Sequence, residues 1–309
     1  MAEPVPGNRR VVAVLVYTVA AWGANVVVIK AMTAHFEAVH LAALRTVVAF
    51  AFIALVARLA AGFRPERIGR RDFLELSAAA LLMVYAHQIL LTQGLAWSTA
   101  TNGGLALSLN PLLSLLLGAV LFGERLGAGG VAGVVMGIAG AAFVILNRSG
   151  AELRLHGAGD ALLFASMLAY VGAGAFMRSL SKRLSPVAIA WHMHWMGGVM
   201  LVTHAALLPA FWTADAWDVE LTPWLLILAS GLFSTALGGL GWSYGISRLG
   251  LGRTAVFLNL LPVSTLVTAV LFLGEQARPA HALGFLLVLC GTWLAVHPRR
   301  VAASARAAS

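Results

Sequence analysis

Apolar residues recur from Val11 to Val296 in long runs that are apolar on every face, with short polar segments between them. A helix rises about 1.5 Å per residue, so about 20 residues cross the hydrocarbon core of a bilayer. Strands of membrane barrels are shorter and alternate apolar with polar residues, unlike these runs. The pattern predicts an all-α membrane protein with ten transmembrane helices. Their predicted spans are 11–32, 38–60, 73–96, 101–122, 128–146, 158–179, 187–209, 223–246, 253–273 and 280–297.

Composition agrees with this pattern, since 60% of the residues are hydrophobic and 11% are charged, whereas soluble domains carry about 25% charged residues. No polar segment is long enough for a large extramembrane domain. The formal charge of +9 would suit a nucleic-acid-binding protein, but the basic residues lie in short segments between apolar runs. There they act as topology signals and contact anionic lipid headgroups, so the bilayer is a predicted partner and nucleic acid is not.

Most of the 21 Lys and Arg residues fall on one side of the predicted membrane helices. Basic segments between transmembrane helices stay on the cytoplasmic side. Both termini lie on that side, so the N-terminus and the C-terminus are predicted to be cytoplasmic.

The second half of the sequence repeats the first at a shift of 148 to 151 residues. Each half, 1–147 and 148–309, contains five predicted helices, and five is odd, so the second half enters the membrane from the opposite side. The sequence therefore predicts inverted repeats, an arrangement in which two similar bundles open a central site alternately to each side. The matched pairs include Trp22 with Tyr170, Lys30 with Arg178, Gly94 with Gly245, Pro111 with Pro262, and Gly123-Glu124 with Gly274-Glu275.

These paired motifs, together with Trp22-Gly23-x-Asn25 near the start, resemble the EamA-type exporters of the drug/metabolite transporter superfamily. Within that family the chain resembles bacterial inner-membrane exporters of aromatic amino acids. The resemblance covers essentially the whole chain and implies a basket-like bundle with a central cavity, formed mainly by helices 1, 3, 4, 6, 8 and 9. It also implies a location in the bacterial inner membrane and export of amino acids without a cofactor.

Polar residues inside membrane helices are costly unless satisfied, so they are candidates for a substrate site. In predicted helix 3, Tyr85, Gln88 and Thr92 follow spacings of three and four residues and share one face, with His87 on its flank. These four side chains could bind an α-amino and an α-carboxylate group, and Tyr85 could stack on an aromatic substrate. Their alternative role is to form hydrogen bonds with neighbouring helices.

A second set of candidates lies on other helices. Trp22 and Asn25 face the same way on the first predicted helix, and Tyr170 is the counterpart of Trp22 in the second half. These aromatic residues form either a two-sided clamp for substrate or ordinary packing contacts. Asn102 and Asn259 are further candidates for substrate binding on helices 4 and 9.

Two prolines are candidate hinges, and two basic residues are candidates for a role of charge in the membrane. Pro111 and Pro262 each remove a backbone donor and bend a helix, which predicts hinges, with a ligand site as the alternative. Lys30 lies near the outer end of its helix and can extend its amino group to the interface. Arg45 lies deeper and either pairs with a carbonyl or holds a carboxylate substrate. The spans leave no Asp or Glu in a helix centre.

Other motifs argue against metal sites and define packing. His192 and His194 are two residues apart and do not share a helical face, so no metal site is predicted there. Gly129, Gly133 and Gly137 form a stripe of small residues that permits close approach of another helix. We expect packing within one chain before a dimer contact, and hence a monomer or weak homo-oligomer.

The sequence therefore predicts a secondary exporter of amino acids, aromatic and other apolar ones foremost, that works by alternating access. An exporter of other small metabolites or drugs is the alternative. A nucleotide-sugar carrier would need several basic groups in the cavity to hold phosphates, and only Arg45 and Lys30 qualify. An exporter of cationic drugs would need a carboxylate buried in the membrane, and the predicted spans place none at a helix centre. A membrane enzyme is disfavoured because the chain has no His-Glu-x-x-His, no Gly-x-Ser-x-Gly and no phosphate-binding loop.

Overall fold

The computed structural model describes residues 7–59, 67–123, 126–147, 150–213, 217–249, 254 and 256–296. These residues form ten membrane helices, and no strand occurs among them. The helices are α1 Gly7–Met32, α2 Ala38–Leu59, α3 Arg70–Trp97, α4 Ala100–Phe122, α5 Ala128–Leu146, α6 Gly150–Leu180, α7 Pro186–Leu207, α8 in three parts (Leu221–Ala229, Ser230–Leu237 and Gly238–Leu249), α9 in two parts (Val256–Leu260 and Leu261–Leu273), and α10 Pro279–Val296.

Length and apolar composition explain why these segments form membrane helices. In the described part of the chain, seven helices are long and apolar enough to cross a bilayer, and two shorter apolar helices, Phe257–Leu273 and Pro279–Ala295, follow them. α7 is equally long, at 22 residues, but three histidines, His192, His194 and His204, lower its apolar character. The predicted all-α membrane fold is confirmed.

Two of the helices contain π-helical turns that the periodicity of the sequence does not reveal. One is Leu81–Ala86 in the middle of α3, and the other is Ser230–Leu237 in the middle of α8. A shift of 151 residues places the first segment inside the second, so both repeats carry this feature at the same position. π-helical turns are rare and are frequently found at functional sites.

The two prolines lie at matching breaks in α4 and α9. Pro111 lies in the first turn of Asn110–Phe122, and Pro262 lies in the first turn of Leu261–Leu273. Proline suits the first turn of a helix because its missing N–H has no partner to lose there. Each helix then ends at a glycine with φ of 65°, Gly123 in α4 and Gly274 in α9. The hinge role of the prolines stays a prediction.

The predicted stripe of small residues on α5 packs inside the chain, mainly against α10. A Cβ atom added to Gly133 would meet the carbonyl oxygen of Gly291, and one added to Gly129 would lie 3.1 Å from the carbonyl oxygen of Leu294. Gly137 instead packs against Leu112 of α4. The stripe therefore permits close helix packing within the protomer, and the expected monomer or weak homo-oligomer stays a prediction.

Candidate functional site

A network of polar side chains joins four helices around Arg45 of α2. The Arg45 side chain is buried, with 6% exposed. Its Nε donates to Ser230 Oγ of α8 at 3.0 Å, and its Nη1 donates to Gln88 Oε1 of α3 at 3.2 Å. Ser230 Oγ in turn donates to Asn25 Oδ1 of α1 at 2.5 Å. Arg45 is the eighth residue of α2, so the network lies roughly 10 Å along the helix from its first residue.

Both acceptors of the Arg45 guanidinium are neutral. Among the described residues, no carboxylate forms an ion pair with it, and its third nitrogen, Nη2, has no hydrogen-bond partner there. Arg183, in the connection between α6 and α7, shows the contrast: it pairs with Asp72 at 2.8 Å and with Glu75 at 2.7 Å. These hydrogen bonds raise the pKa of Arg183. In the described part of the chain, the charge of Arg45 is therefore not compensated by a carboxylate.

His87 and Tyr170 form a ring pair between α3 and α6. Their ring centroids are 5.1 Å apart, and His87 Nδ1 hydrogen-bonds with the carbonyl oxygen of Ser166 at 3.0 Å. Thr92 donates to the carbonyl oxygen of Gln88 on its own helix at 2.7 Å. Thr92 thus bonds with the backbone of its own helix, whereas His87 contacts Tyr170 of a neighbouring helix.

Trp22 and Tyr170, the predicted clamp, contact different partners. Trp22 packs against Trp242 of α8 with centroids 5.3 Å apart, and its Nε1 donates to the carbonyl oxygen of Ser234 at 2.9 Å. Ser234 lies in the π-helical turn of α8, where the wider turn leaves carbonyl groups free to accept bonds from outside the helix. Trp22 therefore fixes α1 against this turn.

Tyr85 is separated from Gln88 in its contacts, although the sequence spacing places both on one face. The Tyr85 hydroxyl hydrogen-bonds with His204 Nδ1 of α7 at 2.9 Å, whereas Gln88 contacts Arg45 of α2. α2 and α7 pack against each other, so the shared face of Tyr85 and Gln88 and their substrate role stay predictions.

Asn102 lies in a second buried polar cluster, at the short turn between α3 and α4. Its Nδ2 donates to Asp160 Oδ1 of α6 at 2.7 Å and to Ser98 Oγ at 3.3 Å. Ser98 also donates to Asp160. Asp160 is 5% exposed and lies only a few residues inside its predicted span, 158–179, so it is not an acid at a helix centre. The Nδ2 of Asn102 therefore binds the chain itself, whereas its Oδ1 is buried without a hydrogen-bond partner among the described residues, and substrate binding by Asn102 stays a prediction.

Lys30 binds the end of α3, and Glu275 binds the start of α4. Lys30 Nζ donates to the carbonyl oxygens of Leu95 and Ala96 at the end of α3, at 2.7 and 3.2 Å. Glu275 accepts bonds from the backbone nitrogens of Ala100 and Thr101 at 2.7 and 3.1 Å. A cation at the end of a helix and an anion at the start of one both complement the helix dipole. Glu124, the counterpart of Glu275, lies outside the described residues.

Two remaining predictions concern Asn259 and the histidines of α7. Asn259 is half-buried in the short 3-10 segment Val256–Leu260 that opens α9. His192 Nδ1 accepts a bond from Trp195 at 3.0 Å, whereas His194 Nδ1 bonds with the carbonyl oxygen of Ala190 at 2.8 Å. The two rings serve different partners, and the described residues contain no group of three or more metal-ligating side chains.

Three residues of these clusters are not among the predicted site residues. Ser230, Asp160 and Glu275 each contact a helix more than 50 positions away in the chain. Ser230 resembles any small residue of an apolar run, so no sequence signal singles it out. Glu275 carried a signal, because it belongs to the repeated Gly-Glu motif.

Ten membrane helices in two related halves, joined by a buried polar network, define a membrane transporter. The chain belongs to the EamA-like transporter family, whose model matches it twice, over residues 9–146 and 157–297. The two matches show the repeat, and the family makes the chain a transporter and not an enzyme. A solved crystal structure with 20% identity has a similar fold, with a TM-score of 0.64 over 96% of this chain and 97% of that one.

Curated relatives cover nearly the full chain. A probable terminal-alkyne amino-acid exporter of Streptantibioticus cattleyicolor is 29% identical over 91% of each chain. A probable amino-acid metabolite efflux pump of Salmonella typhimurium is 26% identical over 93% of this chain and 95% of its own. An uncharacterized transporter of Archaeoglobus fulgidus is 27% identical over 93% of this chain and 98% of its own.

Proposed function

We propose that this transporter exports amino acids, aromatic and other apolar ones foremost, across a bacterial inner membrane by alternating access, with both termini in the cytoplasm. Arg45 binds the carboxylate group of the substrate. The single observation that carries the proposal is the buried Arg45 guanidinium, which is held by two neutral acceptors and has one nitrogen without a partner among the described residues.

Burying a charge costs several kcal/mol unless an opposite charge or strong hydrogen bonds compensate. The two neutral acceptors of Arg45 compensate only part of that cost. A substrate carboxylate would supply the missing charge and would use the planar fork of the guanidinium. His87 precedes Gln88 in α3 and pairs with the ring of Tyr170 of α6, and this ring pair would offer an apolar surface to an aromatic side chain.

The names of two relatives support the same substrate class, since one is a probable amino-acid exporter and the other a probable amino-acid metabolite efflux pump. The proposal is tested with proteoliposomes loaded with labelled phenylalanine, tryptophan, leucine, glutamate and lysine. Efflux of the first three that depends on the protein is expected. Protein-dependent efflux of none of the panel would refute the proposal.

Gln88→Glu would place a carboxylate beside Arg45 without changing the size of the side chain. The internal ion pair would compete with the carboxylate of the substrate, so efflux of phenylalanine should fall by about tenfold or more. The pair should also raise the melting temperature, because the buried charge gains a counter-ion. The neutral variant Gln88→Met serves as the control and should lose less activity. Full activity of Gln88→Glu would exclude Arg45 from substrate binding.

Alternating access requires that each end of the bundle closes in turn, and we propose that Lys30 and Glu275 close the outer end. Lys30 belongs to α1 and Glu275 to the connection between α9 and α10, yet both hold the turn between α3 and α4. The Glu275 bonds tie the half 148–309 to the half 1–147 at this end, and the Lys30 bonds hold α1 against the end of α3 within the first half. Opening that end would break them.

Glu275→Ala should favour the open state of the outer end. A capping side chain contributes about 0.5–2 kcal/mol, so the labelling rate of a cysteine under the turn should rise by about tenfold. The chain has one cysteine, so Cys290→Ala gives a cysteine-free background, and Ala100→Cys, at a position with 0% exposure, serves as the reporter.

Glu220→Ala is the matched control for this labelling measurement. Glu220 precedes α8 and makes no side-chain capping bond, so its removal should leave the rate unchanged. Equal labelling rates of Ala100→Cys with and without Glu275→Ala would contradict the proposal that Glu275 closes the outer end.

A further inference from the structure

Ser230 occupies an unusual position for a serine inside a membrane helix. Such serines and threonines commonly bond with a carbonyl of their own helix, as Ser108 does with Leu105 and Ser166 with Leu163. Ser230 instead donates its single proton to Asn25 of α1 and accepts a bond from Arg45 of α2. Its side chain is 4% exposed, so both bonds are formed away from water.

This hydroxyl determines which edge of the guanidinium remains for a ligand. A carboxylate binds arginine through two parallel N–H groups, either on the edge that contains Nε or on the edge formed by the two terminal nitrogens. Ser230 occupies Nε, so the edge that contains Nε is not open to a bidentate ligand. The terminal edge keeps Nη2 without a partner among the described residues, next to Nη1, which Gln88 holds at a longer 3.2 Å.

Asn25 fixes the direction of the Ser230 hydroxyl. Because the proton of Ser230 points to Asn25 Oδ1 at 2.5 Å, a lone pair of Oγ is left to face Arg45 Nε. A chain of hydrogen bonds of this kind polarises each member and strengthens the whole. The first residue of the π-helical turn of α8 is therefore built into a rigid support for the arginine.

We propose that Ser230 is a positioning residue that orients Arg45 so that its terminal edge receives the substrate carboxylate, and that it thereby determines the preference of the transporter for carboxylates. This inference rests on the proposed function of Arg45. Without the hydroxyl, the guanidinium can turn and loses its alignment, while its charge and its place in the membrane remain. Affinity for the carboxylate falls, and the rate of the transport cycle changes little.

Ser230→Thr and Ser230→Val form a matched pair, because threonine and valine have nearly the same shape and differ in the hydroxyl group. Labelled phenylalanine flux is measured in proteoliposomes to obtain KM and the maximal rate, with 3-phenylpropionate and 2-phenylethylamine as competitors. The first competitor keeps only the carboxylate, and the second keeps only the amine. Ser230→Val should raise KM by about tenfold with a similar maximal rate, whereas Ser230→Thr should stay near wild type.

The preference for 3-phenylpropionate over 2-phenylethylamine should also decrease in Ser230→Val and persist in Ser230→Thr. Ser230→Ala repeats the valine measurement without a branched side chain, and Ser166→Ala is the control for a buried serine that bonds with its own helix. Equal KM and equal preference in the threonine, valine and alanine variants would overturn the inference. A wild-type protein that does not prefer the carboxylate would instead refute the proposed role of Arg45.

Discussion

Arg45→Leu should lower phenylalanine efflux by about 100-fold or more, with the protein still folded. Removing one member of a buried charge pair typically costs about 2–5 kcal/mol of binding, and the substrate carboxylate would enter the membrane without its counter-ion. The fold should tolerate the change, since leucine is apolar and the guanidinium has no acidic partner among the described residues. Efflux and melting temperature are measured on the same preparation.

Arg45→Lys is the control that separates charge from geometry. Lysine keeps the positive charge but lacks the planar fork, so its efflux should fall between those of the wild type and the leucine variant. Parallel loss of efflux and melting temperature in Arg45→Leu would instead show that Arg45 holds the helices together.

Gly291→Val should prevent stable folding. A Cβ atom at Gly291 of α10 would lie 2.6 Å from the carbonyl oxygen of Gly133 and 3.0 Å from the backbone nitrogen of Gly137. Backbone atoms of a packed helix cannot move aside as a flexible side chain can, so α5 and α10 would have to separate. We expect a loss of about 3 kcal/mol or more, measured as the yield of monodisperse protein and its melting temperature.

Gly174→Val on α6 is the matched control, because nothing lies within 4 Å of a Cβ atom added there. It should leave yield and melting temperature near those of the wild type. Similar behaviour of the two valine variants would contradict the close packing of α5 on α10.

The fold could be predicted because a single property, the length of the apolar runs, determines it. The span 38–60 corresponds to Ala38–Leu59, and 128–146 corresponds to Ala128–Leu146. The bilayer sets the length of these helices, and the short polar segments mark where each helix ends. The π-helical turns could not be predicted, since they change the period locally without changing the composition.

The candidate site was predictable in its members but not in their pairing. Arg45, Gln88 and Asn25 were each recognised as polar residues in apolar helices, and the structure joins all three through hydrogen bonds. The link between them, Ser230, depends on the packing of α8 beside α1 and α2. Helical spacing placed Tyr85 on the face of Gln88, and it gave no indication of the hydrogen bond between Tyr85 and His204 of α7.

Residues that join distant helices depend on tertiary packing, which a single sequence does not reveal. The bonds of Asn102 with Asp160 and Ser98 could not be predicted, and its expected role in substrate binding stays a prediction. Glu275 was recognised only as part of a repeated motif, and its contacts with Ala100 and Thr101 explain why an acid at this position stabilises the fold.

The most direct measurement of carboxylate recognition by Arg45 is competition against labelled phenylalanine in proteoliposomes of the wild-type protein and of Arg45→Leu. Inhibition by 3-phenylpropionate but not by 2-phenylethylamine is expected in the wild type, because the first compound keeps the carboxylate and the second only the amine. The leucine variant should lose this inhibition along with its flux. Inhibition of the wild type by the amine alone, or undiminished phenylalanine flux in Arg45→Leu, would contradict the account.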